Sequence, residues 1–106
     1  MALPELDPEQ RRAALEKAAE ARRIRAELKQ MLKAGEVSLR DVLDRAATAE
    51  PLAKMKVADV IEAMPAFGPL KARRLMEELD IAPSRRIRGL GPRQREALLT
   101  TFEGRR

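Results

Sequence analysis

Two short segments of the chain combine glycine, proline and long polar side chains in an order suited to binding phosphate. The first hairpin reads Ala66-Phe67-Gly68-Pro69-Leu70-Lys71, and the second hairpin, 23 positions later, reads Gly89-Leu90-Gly91-Pro92-Arg93-Gln94. In each, glycine permits a tight turn and a close backbone approach, and proline suits the first position of a helix. The free N–H groups and positive dipole end of such a helix attract anions. The repeat favours two phosphate-binding hairpins over two ordinary helix-turn-helix connections.

Arginine is concentrated around the second hairpin. No carboxylate lies between Asp80 and Glu96, and five arginines do: Arg85, Arg86, Arg88, Arg93 and Arg95. Guanidinium groups bind phosphate through charge-assisted, often bidentate hydrogen bonds. Two interpretations are open for the first two arginines, since they either bind phosphate or pair with the acidic residues of the preceding segment, which are Glu77, Glu78 and Asp80.

The charge balance indicates a polyanionic partner. The chain has 106 residues, 22 basic and 17 acidic, with a formal net charge of +5 and a pI near 10.2, and such values are typical of proteins that bind nucleic acid. Residues 69–106 carry 10 basic and 5 acidic side chains, whereas residues 36–68 carry 4 and 6. The excess positive charge therefore lies in the last third, which contains the second hairpin.

The residue types that are missing argue against an enzyme, a metal site and a cofactor. Cys and His are absent, which removes the usual metal ligands and the commonest general base. A glycosylase that uses a hairpin beside a catalytic Lys and Asp needs an aromatic side chain for the flipped base, and the chain has two Phe and no Trp or Tyr. No apolar stretch is long enough for a signal peptide or a membrane span. We therefore expect a cytoplasmic, non-enzymatic protein without a cofactor.

A long N-terminal helix is predicted to precede the two hairpins. Residues 1–6 carry no periodic signal and are expected to be loose, and Asp7-Pro8-Glu9-Gln10 is a capping box that starts a helix ending before Gly35. Its apolar positions form a stripe on the second half only: Ala21, Ile24, Leu28, Met31 and Leu32. The first half is therefore expected to project from the core.

The long helix also separates its charges by sign. One edge carries Arg11, Arg22, Arg25, Lys29 and Lys33, and another carries Glu9, Glu16, Glu20 and Glu27. Arg12 and Arg23 lie near the acidic edge, where spacing allows Arg12 to pair with Glu16, and Arg23 with Glu20 or Glu27. Two interpretations are open for the basic edge, namely a solvated face and a rail along a nucleic-acid backbone.

Four shorter helices are predicted in the rest of the chain, over residues 39–49, 57–64, 69–79 and 92–102. Ser38 caps the first of them, Pro51 ends it, and residues 103–106 form a frayed tail. The predicted inward side chains are Leu39, Val42, Leu43, Ala46, Val60, Ile61, Met64, Leu70, Leu75, Met76 and Leu79. The chain is expected to be a single domain over residues 1–106, with the arm and long helix in residues 1–35 and a compact helical module in residues 36–106.

Four segments of the chain resemble the integration host factor family of actinobacteria, including the mycobacterial type. They are the Pro-Glu-Gln-Arg helix start, Lys54-Met55-Lys56-Val57, Met64-Pro65-Ala66-Phe67-Gly68, and above all Ser84-Arg85-Arg86-Ile87-Arg88-Gly89-Leu90-Gly91. This family is unrelated in fold to the β-ribbon integration host factor of enteric bacteria. The resemblance implies an all-α fold in which a long helix joins a helix-two-turns-helix module similar to that of ribosomal protein S13. One departure from the usual hairpin pattern is Ala66, where Gly is common.

The resemblance also implies a function. It implies a nucleoid-associated architectural protein that binds double-stranded DNA mainly through backbone and shape, compacts or bends it, and supports site-specific phage integration with an integrase complex. A monomer in solution is expected. By resemblance, Arg85, Arg86 and Arg88 match the DNA-binding arginines of the family, and Lys54 and Lys56 match its basic lead-in. With the hairpin and rail residues added, the predicted DNA-binding set is Arg85, Arg86, Arg88, Gly89, Gly91, Arg93, Gly68, Lys71, Lys54, Lys56, Arg22, Arg25 and Lys29.

Two other classes of protein fit part of the pattern. A structured-RNA-binding or ribosome-associated protein of S13-like type would use the same hairpins and charge. Readers of single-stranded RNA rely on aromatic platforms, which this composition does not supply. A protein-interaction module would explain the long helix and leave the arginines unexplained. Duplex DNA is therefore the favoured partner.

Overall fold

The computed structural model describes residues 7–104, which form six α-helices and one 3-10 turn. The helices are α1 (Pro8–Lys33), α2 (Leu39–Ala46), α3 (Glu50–Ala53), α4 (Val57–Glu62), α5 (Pro69–Glu78) and α6 (Pro92–Glu103), and the 3-10 turn is Ile87–Gly89. Within these residues the chain forms an isolated antiparallel bridge between Lys56 and Arg86 and no strand. The predicted all-α class is confirmed. The predicted loose arm, residues 1–6, lies outside the described residues.

The two ends of α1 are fixed by the local interactions that the sequence predicts. At the start, the Asp7 carboxylate accepts the Gln10 N–H at 2.7 Å, and the Gln10 side chain accepts the Asp7 N–H at 3.1 Å, which is a complete capping box. At the end, Gly35 has a φ of +74°, and the Glu36 N–H reaches the Met31 carbonyl at 2.9 Å. This Schellman-type ending uses the left-handed conformation that glycine adopts without strain.

Only the second half of α1 packs on the core, as predicted. Leu28 and Leu32 are 4% and 0% exposed, whereas residues 7–20 are exposed throughout and Leu15 is 65% exposed. The 26 residues of α1 span about 39 Å. The radius of gyration of 16.1 Å exceeds the value of about 13 Å expected for a compact domain of this length. The first half of α1 therefore projects as a rod.

The core is apolar and takes side chains from all six helices. Ser38 and Asp41 form the capping box of α2, and the four predicted inward residues of that helix are all buried. The side chains with 2% exposure or less are Leu32, Val42, Val60, Ile61, Ala72, Leu98 and Leu99. Among residues 7–104 no polar or charged residue is buried, so the charged side chains are left for the surface.

In the same residues no helix combines the length and the apolar character that a membrane crossing needs.

The prediction for Pro51 was wrong. α2 ends at Ala46, and Pro51 is the second residue of a separate short helix, α3, which buries Leu52 at 4% exposure. Proline is compatible with the first turn of a helix because the N–H it lacks has no intrahelical partner there. Pro51 therefore lies in the first turn of α3, whereas we expected it only to end α2.

Smaller corrections concern helix ends and one apolar residue. α4 ends at Glu62, which leaves Met64 half-buried beyond it, whereas α6 reaches Glu103, a residue predicted to lie in the frayed tail. Leu70 was predicted to face inward and is 56% exposed. At 100° per residue Leu70 lies well over 100° around α5 from Leu75 and Met76, which are buried.

Candidate nucleic-acid interface

Backbone pairing joins the segment before the second hairpin to the segment before α4. The Val57 N–H donates to the Arg85 carbonyl at 2.9 Å, and the Ile87 N–H donates to the Met55 carbonyl at 2.9 Å. This pairing sets residues 54–56 beside residues 85–88. Two lysines and three arginines that are distant in sequence thus share one exposed surface: Lys54, Lys56, Arg85, Arg86 and Arg88. We call residues 85–89, which carry the three arginines, the arginine turn.

Two of the three arginines are held by backbone carbonyls. The Arg85 guanidinium donates to the Gly89 carbonyl at 2.9 Å across the arginine turn, and the Arg86 guanidinium donates to the Lys54 carbonyl, 32 positions away in sequence. Neither forms an ion pair with Glu77, Glu78 or Asp80 in the described part of the chain. The alternative in which these acids neutralise the arginines is therefore wrong. Each guanidinium keeps further donors exposed to solvent.

Arg88 is the third member, and among residues 7–104 it makes no hydrogen bond or ion pair. The three arginines surround a shallow cavity of about 240 Å³ that is otherwise lined by Ala82, Ser84 and Gly89. A cavity walled by three guanidinium groups without a carboxylate is suited to an anion with several oxygen acceptors, such as phosphate.

Gly89 lies beside the Arg85 side chain. A Cβ atom added at Gly89 would lie 3.4 Å from Arg85 Cδ and 3.6 Å from Arg85 Nη1, which is ordinary van der Waals contact. In the described residues positive φ among glycines occurs at Gly35 alone, so Gly89 is not required for a left-handed turn. The predicted use of Gly89, a close approach of phosphate to the backbone, stays a prediction.

The second hairpin starts α6 as predicted. Gly91 is the N-cap, Pro92 is the first helical residue, and the Gln94 side chain accepts the Gly91 N–H at 3.0 Å. The Gln94 amide also donates to the Asp80 carbonyl at 3.0 Å, which ties the hairpin to the end of α5. Arg93 is exposed at the helix start.

Arg95 has a different role from its neighbours in sequence. Its guanidinium pairs with Asp44 of α2 at 2.7 Å, and Arg40 of α2 pairs with Glu103 of α6 at 2.7 Å. These two ion pairs join α2 to α6. Arg95 is therefore engaged within the fold and does not extend the cluster formed by the arginine turn.

In the first hairpin the residue with the left-handed conformation is not a glycine. Ala66 has a φ of +65°, and Gly68 and Pro69 follow as the N-cap and first residue of α5. Phe67 packs against Phe102 with the ring centroids 4.9 Å apart. Lys71 Nζ lies 5.9 Å from the Phe67 ring centroid and donates to the Ala66 carbonyl at 3.3 Å. Lys71 is thus held close to the turn.

Lys29 and Gly68 line the same cavity, of about 410 Å³, between α1 and the first hairpin. Its charged lining is mixed, because it includes Lys29 and Lys33 and also Asp59 and Glu62. The structure therefore brings Lys29 to the first hairpin. The two carboxylates make this surface less positive than the surface around the arginine turn.

Arg22 and Arg25 lie on the same edge of α1 as Lys29 but one to two turns nearer its start, next to α3. A groove of about 520 Å³ between the two helices is lined by charged side chains at its rim, which are Lys17, Glu20, Arg22, Arg25, Glu50 and Lys54. The rail residues Arg22 and Arg25 therefore meet the basic lead-in at Lys54. Lys17 was not among the predicted residues, because it lies on neither charged edge of the helical wheel.

Glu50 is a carboxylate within this basic surface. Lys54 Nζ lies 2.7 Å from Glu50 Oε1, and this hydrogen bond, with the charges of Lys54, Lys17 and Arg88, holds the pKa of Glu50 below its usual range. α3, which begins at Glu50, packs against the 3-10 turn Ile87–Gly89 as well as against α1. The carboxylate stays ionised at neutral pH.

The acidic edge of α1 is neutralised from within the helix. Arg23 pairs with Glu20 and with Glu27, as predicted, and the hydrogen bond from Arg23 lowers the pKa of Glu20. No Arg12–Glu16 pair forms in the described part of the chain. The basic edge has no comparable internal partners.

Comparison with known proteins identifies relatives over nearly the whole chain. Residues 32–102 match the family model for an S13-like H2TH domain. The chain is 60% identical over 103 residues to an integration host factor of Mycolicibacterium smegmatis, covering 97% of this chain and 98% of that protein. It is 49% identical over 102 residues to an integration host factor of Streptomyces coelicolor, covering 96% of this chain and 95% of that protein.

A mycobacterial relative and a solved structure agree with this assignment. An integration host factor of Mycobacterium tuberculosis is 60% identical over 102 residues, covering 96% of this chain and 97% of that protein. The structure of sIHF bound to an 8 bp palindromic DNA superposes with a TM-score of 0.80 at 44% identity, covering 82% of this chain and 98% of that chain. The chain belongs to the actinobacterial integration host factor family, and its residues 32–102 form an S13-like helix-two-turns-helix domain.

Proposed function

We propose that this protein binds double-stranded DNA and acts as an architectural protein. The observation that carries the proposal is the surface formed by Lys54, Lys56 and the arginine turn. Backbone hydrogen bonds hold its two segments together, so five cations face solvent on a rigid frame before any DNA is present. Converging, preorganised donors bind phosphate better than the same charges on separate flexible side chains.

The family supports DNA over the alternative of structured RNA. Related proteins are integration host factors, and the solved structure of sIHF contains DNA. A ribosome-associated role rests only on the likeness of the domain to S13. We therefore assign duplex DNA as the partner.

Recognition is expected to depend on the backbone and shape of the duplex. The predicted contacts are Arg and Lys side chains, the N-terminal turns of α5 and α6, and three glycines. Gly68 and Gly91 are the N-caps of these helices, and Gly89 ends the 3-10 turn. Such groups position a protein on phosphates and carry little sequence information. An arginine inserted in a narrow minor groove would add a preference for DNA shape.

The finer assignments belong to the same proposal. We propose that the protein acts by binding and not by catalysis, in the cytoplasm at the nucleoid, where it compacts or bends DNA and supports phage integration with an integrase complex. We also propose a single domain that is monomeric in solution. The exposed large apolar side chains within residues 7–104 are Leu15 of α1 and Leu70 of α5, and single exposed apolar residues are normal on monomeric proteins.

A competition binding assay tests this function. Labelled duplex DNA bound to the full chain is challenged with unlabelled duplex, hairpin RNA, and single strands over a series of salt concentrations. We expect duplex DNA to compete at least about tenfold better than the other nucleic acids at each salt concentration. Equal or better competition by hairpin RNA would reverse the assignment.

A further inference from the structure

Glu50 sits among cations that come from three elements of the fold. Lys54, just after α3, hydrogen-bonds its carboxylate at 2.7 Å. That hydrogen bond, with the charges of Lys54, Lys17 and Arg88, lowers the pKa of Glu50. Lys17 of α1 lines the same groove as Glu50 and Lys54, and α3 packs against both α1 and the 3-10 turn. An anionic group is therefore already held where these three elements come together.

The groove beside Glu50 has a basic rim and an apolar floor. Ala14, Ala18 and Ala21 of α1 line its floor, and four cations line its rim, which are Lys17, Arg22, Arg25 and Lys54. The rim also contains two carboxylates, Glu20 and Glu50. Glu20 is engaged by Arg23 on its own helix. Glu50 is thus the carboxylate that neutralises the groove.

We propose that Glu50 occupies a phosphate subsite formed by Lys17 and Lys54, next to the arginine turn, and that the DNA backbone displaces it on binding. The inference rests on the proposed function, because it assigns a further stretch of duplex backbone to the same partner. It adds Lys17 to the DNA-binding surface and connects the arginine turn to Arg22 and Arg25 on α1.

A DNA phosphate can replace the Glu50 carboxylate at these donors. Carboxylate and phosphate both present oxygen acceptors to the same ammonium and guanidinium donors, and phosphate brings more of them. The Glu50 and Lys54 side chains are 62% and 49% exposed, and an ion pair this exposed is readily broken. A carboxylate left beside the incoming phosphate would repel it. Glu50 therefore weakens DNA binding by competing for the subsite.

A purely structural role for Glu50 predicts the opposite sign. Glu50 is the first residue of α3 and pairs with Lys54 at four-residue spacing. If its function were to hold α3 in place, its removal would loosen the segment that carries Lys54, and DNA affinity would fall. The sign of the change in affinity separates the two roles.

The test compares Glu50→Gln with Glu16→Gln by duplex binding over a salt series. Both substitutions raise the net charge by one, but Glu16 lies on the exposed half of α1 and does not line the groove. We expect E50Q to bind about threefold tighter or more at low salt, with nearly the same log–log salt slope as the unsubstituted chain, because the same phosphates are bound once Glu50 has been displaced. E16Q should show less than half of that gain, and circular dichroism should report the same helix content for both.

Lys17→Gln provides an independent test on the exposed half of α1, where its loss does not disturb the core. K17Q should weaken duplex binding more than Arg12→Gln, and the loss from K17Q should be larger when E50Q is also present. Equal affinities for E50Q and E16Q, or weaker binding by E50Q, would overturn the subsite. Failure of the unsubstituted chain to bind duplex DNA would instead contradict the proposed function.

Discussion

The two hairpins share a sequence pattern and differ in how their turns are built. In the first, Ala66 takes a left-handed φ of +65°, the Phe67–Phe102 ring pair holds the turn to α6, and carboxylates line the adjacent cavity. In the second, Arg85 donates to the Gly89 carbonyl, and the arginine turn is joined to residues 54–57 by backbone and side-chain hydrogen bonds.

This difference shows that the repeated pattern specifies two helix starts and not two equivalent binding sites. Both hairpins present an N-cap glycine and a proline at the start of a helix, so both offer free N–H groups. The side chains and backbone packed beside each turn decide how much positive charge converges there. We therefore expect the second hairpin to carry most of the affinity for DNA.

The largest effect is expected from replacing Arg85, Arg86 and Arg88 together by Ala. Each charge-assisted hydrogen bond lost should cost about 1 to 3 kcal/mol, so the triple variant should lose several kcal/mol of binding free energy at one fixed salt concentration. Fluorescence anisotropy with labelled duplex measures the loss. Circular dichroism should show an unchanged helix content, because all three side chains are exposed.

The matched control is the α1 triple, Arg11, Arg22 and Arg25 to Ala. It removes the same charge from the basic edge of α1, where no backbone frame brings the guanidinium groups together. We expect a smaller loss of affinity than from the arginine turn. Equal losses from the two triples would show that net charge alone determines binding.

The next effect in size concerns the rod itself. Deleting residues 1–16 should leave a cooperative thermal transition, because the described part of this segment is exposed throughout. The deletion should weaken DNA binding by less than about tenfold, since exposed charges contribute little individually. Calorimetry and anisotropy measure the two quantities. Loss of the thermal transition would mean that the first half of α1 is packed in solution.

A smaller effect is expected from Gly89→Ala. The added Cβ would lie 3.4 Å from Arg85 Cδ, which is ordinary van der Waals contact, so the free protein should be undisturbed. It would crowd a phosphate bound close to the backbone of Gly89, and we expect a loss of about 0.5 to 1 kcal/mol in binding free energy, measured by fluorescence anisotropy. Gly68→Ala is the matched change in the first hairpin, where a Cβ would meet nothing within 4 Å. G68A should leave both affinity and stability nearly unchanged, and a loss from G68A as large as that from G89A would contradict the contrast between the hairpins.

The smallest effect tests the turn of the first hairpin. Because Ala66 has a positive φ, Ala66→Gly should relieve backbone strain and raise the free energy of unfolding by about 0.5 to 1 kcal/mol. Ala47→Gly is the control, since Ala47 is exposed and has a φ of −63°. Differential scanning calorimetry should show a higher Tm for A66G and a lower Tm for A47G. A lower Tm for both would indicate that the turn is unstrained.

The parts of the fold that were predictable depend on interactions between near neighbours in sequence. Asp7 with Gln10, Ser38 with Asp41, and the Gly-Pro pairs before α5 and α6 fix helix starts within four residues. The amphipathic pattern of α1 likewise predicted which half packs on the core. These signals survive in the structure because nothing distant competes with them.

The parts that were missed depend on distant contacts. The pairing of Met55 and Val57 with Arg85 and Ile87 leaves no local signature, and neither does the position of Glu50 in one groove with Lys17. The short helix α3 was missed because a proline in a helical pattern fits either its end or a new start. The DNA-binding residues remain a prediction, and the structure explains which of them lie close enough to act together.

The measurement that tests the central claim most directly is the salt dependence of duplex binding by the unsubstituted chain. If Lys54, Lys56 and the arginine turn bind the backbone together with the other predicted cations, about six phosphates are neutralised, and log affinity should fall with log salt at a slope of about −5. A slope shallower than about −2 would contradict the claim that the duplex is held through its phosphates.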